Sequence, residues 1–118
     1  MFLAASAIRA LLARGIALHA SFAAQLADGT ALAAGLNNLP AAAALHPAGP
    51  AGLWAAILAT AIGPNLLLTG SVATLICRRI ARDAGATLSA WQFTAFGSAL
   101  IPAQLAAALG LHISGALR

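Results

Sequence analysis

Long apolar runs alternate with short polar interruptions along the whole chain. The runs cover residues 16–36, 39–45, 50–62, 71–80 and 93–111. The interruptions are Asp28-Gly29-Thr30, Asn37-Asn38, His46-Pro47-Ala48-Gly49-Pro50, Gly63-Pro64-Asn65, Thr69-Gly70-Ser71 and the basic cluster Arg78, Arg79, Arg82. Pro50–Ile62 and Ser71–Ile80 read as two helical arms around a break at residues 63–74. A bilayer core of about 30 Å is crossed by roughly 20 apolar helical residues, a length that the two arms together exceed. Proline removes a backbone donor inside a helix, and glycine lets the chain leave helical geometry. Backbone groups freed at bilayer depth must be satisfied within protein or in a water-lined cavity. Two readings follow. One is a discontinuous transmembrane helix whose broken centre forms a solute site, as in many secondary transporters. The other is a kinked helix whose Asn65 and Thr69 bond neighbouring backbone.

Before the break, Asn37-Asn38-Leu39-Pro40 ends one helix and starts another, with Pro40 in the first turn of the second. That second helix, residues 39–45, is too short to cross, and a dense turn signal at 46–50 follows it. A re-entrant helical hairpin with a polar tip fits this pattern, as does an external loop between two spanning helices. Residues 16–36 are long enough to span but are interrupted by Gln25 and Asp28. The pattern predicts two short helices, 16–27 and 30–36, with Asp28 capping the second. The alternative places Asp28 on a proton path. Residues 1–15 are apolar apart from Ser6, Arg9 and Arg14, and read as the end of a shortened helix followed by a basic connector. A targeting segment has a similar composition. After the break, residues 86–92 form a connector. Residues 93–111 form the core of a final transmembrane helix, assigned to 90–113, with Pro102 as a kink and Gln104 facing protein. His112 is placed past the end of the 93–111 stretch. Trp54 and Trp91 suit membrane–water interfaces.

Composition sharpens this picture. Of the 118 residues 62% are hydrophobic and 7% charged, against roughly 25% charged in soluble domains. Mean hydropathy is +0.94. The expected class is an all-α integral membrane protein, with the lipid bilayer as its main partner. The net charge of +4 comes from six basic residues, all arginine. They are too few and too clustered for a nucleic-acid footprint, which needs a broad basic face. Arg78, Arg79 and Arg82 instead mark topology. The positive-inside rule puts residues 78–90 on the cytoplasmic side and the C-terminus outside. The single cysteine, Cys77, allows no internal disulfide and no multi-thiolate metal site, and reads as an apolar filler. His19, His46 and His112 lack ligand spacing. Only Asp28 and Asp83 carry carboxylates, and no nucleophile with a base is in view. An enzyme is therefore not expected, nor is any cofactor or metal.

Taken together, Gly35-Leu36-Asn37-Asn38-Leu39-Pro40, Gly63-Pro64-Asn65 and Thr69-Gly70-Ser71-Val72-Ala73-Thr74 resemble the C-terminal repeat of ArsB-type arsenite/antimonite efflux permeases. These belong to the ion transporter superfamily, with the divalent-anion/sodium symporters among their relatives. The resemblance covers about residues 1–113. It implies half of an inverted-repeat transporter: 16–49 as helix and re-entrant hairpin, 50–83 as broken transmembrane helix, 90–113 as last transmembrane helix. It places Asn37, Asn38, Pro40, Gly63, Pro64, Asn65, Thr69, Gly70, Ser71 and Thr74 around a small inorganic solute. Alternating access in the plasma (bacterial inner) membrane is then expected, as an antiporter coupled to protons or, in relatives, to sodium, sometimes with a separate ATPase subunit. The other repeat is expected from a longer gene product, a companion chain or a second copy in a homo-oligomer. The competing expectations are a small membrane protein or remnant that does not transport, and half of a related anion/sodium or proton-coupled permease.

Overall fold

The computed structural model describes residues 16–17, 21–47, 49–87 and 89–117. The expectations for residues 1–15 and for His19 lie outside these. The described chain is predominantly helical. Helix α1 runs Phe22–Leu36 and α2 runs Asn38–Ala44. Helix α3 covers Gly49–Ile62 and passes into a 3-10 turn at Gly63–Asn65. Helix α4 covers Val72–Asp83 and α5 covers Ala90–Ile113. Two residues, Ile16–Ala17 (β1), pair in parallel with Leu45–His46 (β2), in the register Ile16 to Leu45 and Ala17 to His46.

Helix α1 corrects the expectation of two short helices at 16–27 and 30–36. It is continuous, and its N-cap is Ser21, whose hydroxyl accepts from the Ala24 amide at 3.3 Å. Asp28 lies in mid-helix and is exposed, so it is not a cap. The reason is packing at Gly29. A Cβ built there would stand 2.7 Å from the Ala59 Cβ, so the glycine lets α1 and α3 touch. Thr30 tolerates the helix by donating its hydroxyl to the Leu26 carbonyl at 2.6 Å.

The core lies between α1 and α3. Leu26, Ala33, Ala55 and Ala59 are almost fully buried there. Helix α5 closes one side through Ala108, with Ile101, Leu105 and Leu109 packed around it. His112 lies within the last turn of α5, not past its end. Its ring stacks on Phe22, with centroids 3.9 Å apart and planes 4° from parallel. Among the described residues one helix, α5, is long and apolar enough to cross a membrane. It runs through Pro102 without ending.

Helix α4 differs from the rest because none of its residues is buried. Its Cys77 is exposed, contrary to the expected filler role.

Candidate solute site at the hairpin tip and helix break

The tip of the α1–α2 hairpin is a single residue, Asn37, with φ 82° and ψ 154°. It is the one non-glycine residue with positive φ among the described residues. This region of backbone space is almost confined to glycine and costs about 1–3 kcal/mol. Two hydrogen bonds hold Asn37 there. Its Oδ1 accepts from the Leu39 amide at 3.4 Å, capping α2. Its Nδ2 donates to the Thr69 carbonyl at 3.1 Å. The adjacent Asn38 amide donates to the Gly70 carbonyl at 3.2 Å. The hairpin tip and the segment after the 3-10 turn are therefore in direct contact. Asn38 Oδ1 is buried and finds no hydrogen-bond partner. Pro40 sits half-buried in the first turn of α2, where its missing N–H is harmless.

The break itself is wedged between α1 and α5. Gly63 and Pro64 are buried in the 3-10 turn. A Cβ on Gly63 would overlap the Thr30 carbonyl and lie 2.8 Å from the Ala33 Cβ. From the other side, a Cβ on Gly97 of α5 would overlap the Asn65 carbonyl. Asn65 turns toward α5. Its Nδ2 donates to Gln104 Oε1 at 3.2 Å and to the Ala61 carbonyl at 3.3 Å. Gln104, expected to face protein, does so.

Beyond the turn, Thr69 is exposed and Gly70 buried. Ser71 caps α4, its Oγ accepting from the Ala73 amide at 3.2 Å. The first turns of α2 and α4 thus begin beside one another, joined by the Asn38–Gly70 bond. Thr74 lies one turn along α4 and is half-buried. Arg78, Arg79 and Arg82 are exposed further along the same helix.

The arrangement brings Asn37, Asn38, Thr69, Gly70 and Ser71 together. Gly63, Pro64 and Asn65 form a second group, stacked against α1 and α5. The Asn38 side chain offers hydrogen bonds to an oxygen-bearing solute. Among the described residues no three His, Cys, Asp or Glu side chains group to hold a metal ion. Residue chemistry alone did not single out Gly97, whose role rests on a backbone approach. The chain matches no protein-family model, no curated protein and no solved structure.

Proposed function

We propose that this chain is one half of a secondary transporter for a small hydroxylated inorganic solute, with arsenite or antimonite efflux as the leading activity. The observation that carries the reading is the contact between two interrupted helical points. Asn37 Nδ2 bonds the Thr69 carbonyl, and the Asn38 amide bonds the Gly70 carbonyl. Interrupted helices that meet at mid-depth are a recurring way to bind solutes in membranes. In this reading α1–α2 is a re-entrant hairpin, α3 and α4 are the halves of a broken span, and α5 is the last span. Residues 78–90, the basic end of α4 and the connector to α5, face the cytoplasm.

In this reading the two asparagines have different roles. Asn37 uses both ends of its amide to hold the tip. Asn38 keeps its Oδ1 for a ligand hydroxyl. The Thr69 hydroxyl and the Ser71 O–H, whose oxygen already caps α4, supply the remaining polar atoms. A neutral species such as arsenious acid both donates and accepts, which suits an amide and two hydroxyls. A companion repeat completes the pocket from the opposite side, and proton exchange drives the cycle.

A second reading, a membrane protein that packs without transporting, draws on Asn65 and Ser71, whose polar atoms are used inside the fold. One assay separates them: arsenite accumulation in everted vesicles, with this chain expressed beside a complementary N-terminal repeat. Transport is expected, and Asn38→Ala lowers it about tenfold, the worth of one hydrogen bond. No accumulation above vesicles lacking the chain favours the packing reading. Full activity in both Asn38→Ala and Thr69→Ala removes the tip from the site.

A further inference from the structure

We propose that the arginine face of α4 seats the phosphate of an anionic phospholipid. Helix α4 has no buried residue. Val72, Leu75, Ile76 and Ile80 are exposed along it. Two hollows flank its basic face. One, of about 140 Å³, is lined by Leu75, Arg78, Arg79 and Arg82. The other, of about 90 Å³, is lined by Arg78, Arg82, Ala86 and Thr87. Arg78 and Arg82 border both, because residues four apart share a helix face.

Charge selects an anion. Residues 78–83 hold three arginines and one aspartate, a local net charge of +2. Guanidinium groups bind phosphate oxygens in a bidentate fork and are less strongly hydrated than an ammonium. The apolar neighbours select a lipid over a free anion. Leu75 lies one turn before Arg78 and lines the same hollow, so the site is cationic at one end and aliphatic at the other. Inorganic phosphate leaves Leu75 uncovered, whereas a phospholipid places an acyl chain on it. Basic pockets beside membrane helices bind acidic headgroups by this logic. The seat requires no transport activity, so it stands apart from the solute reading.

The test is lipid retention by the purified full chain, read by native mass spectrometry after exchange into mixtures of phosphatidylglycerol and phosphatidylcholine. Phosphatidylglycerol is expected to be retained preferentially and to survive millimolar inorganic phosphate. Arg78→Gln with Arg82→Gln is expected to retain about twenty-fivefold less, two surface guanidiniums at about fivefold each. Arg9→Gln with Arg14→Gln removes equal charge elsewhere and is expected to retain the lipid. Equal retention of both lipids, loss to phosphate, or unchanged retention in the Arg78/Arg82 variant overturns the proposal. A self-associated chain that protects α4 and carries no lipid also overturns it. Should the double variant misfold by circular dichroism, the headgroup preference of the unaltered chain and of Leu75→Gln decides.

Discussion

Asn37 concentrates the strain of the hairpin in one residue. Its positive φ is offset by two side-chain hydrogen bonds, one within α2 and one to Thr69. The two contributions are separable by substitution. Asn37→Gly keeps the backbone permitted but loses both bonds. Asn37→Ala loses the bonds and keeps the steric penalty. The expected order of stability is native, then glycine, then alanine, with alanine about 1 kcal/mol below glycine. Thermal unfolding in detergent, followed by circular dichroism, measures it. Equal midpoints for the two variants would show that no strain resides at the tip. The neighbouring Asn38 spends only its backbone amide on the fold, which is why the transport assay above is directed at that side chain.

At the scale of elements, the fold depends on how closely α1 and α3 approach. Gly29 sits at that contact, whereas a Cβ on Gly35, further along α1, meets nothing within 4 Å. The same substitution is therefore expected to act oppositely at the two sites. Gly29→Ala overpacks against Ala59 and costs about 1–3 kcal/mol. Gly35→Ala removes backbone freedom from the unfolded chain and adds about 0.5–1 kcal/mol. Unfolding midpoints measured side by side check the pair. Gly29 also shows where sequence reasoning stops. Asp28-Gly29-Thr30 carries every local mark of a helix boundary, and only the facing Ala59 explains why the helix continues. The tip and the break were legible because Asn37-Asn38-Leu39-Pro40 and Gly63-Pro64-Asn65 interrupt backbone geometry whatever surrounds them. The limits of α3, α4 and α5 lie within a few residues of the apolar runs that mark them. The Phe22–His112 stack and the Gly97–Asn65 approach were not legible, since each joins residues far apart in the chain. Nor did the apolar pattern show that α4 would stand exposed, because pattern identifies an apolar face without identifying what lies against it.

The described residues form a slab, 46 × 40 × 18 Å along its principal axes. Its radius of gyration is 15.5 Å, against about 13 Å for a compact globule of about a hundred residues. A thin layer with Trp91, Phe96, Leu100 and Ile113 exposed along α5 has broad apolar faces. The slab is closed at one corner, where His112 at the end of α5 lies flat on Phe22 at the start of α1.

The short parallel ladder between Ile16–Ala17 and Leu45–His46 has a mechanical consequence. Helix α2 is tethered at both extremities: at its outset by the Asn38–Gly70 bond, and just past its finish by β1. A segment pinned twice does not swing as a hinged flap, so any stroke of the hairpin must carry the break along as cargo. Deleting residues 1–17 removes the lower anchor. Amide hydrogen exchange at His46 is then expected to quicken, while Leu45, bonded to the Ala41 carbonyl, and Asn38, bonded to the Gly70 carbonyl, stay protected. Equal quickening at His46 and Asn38 would mean that the two anchors release together.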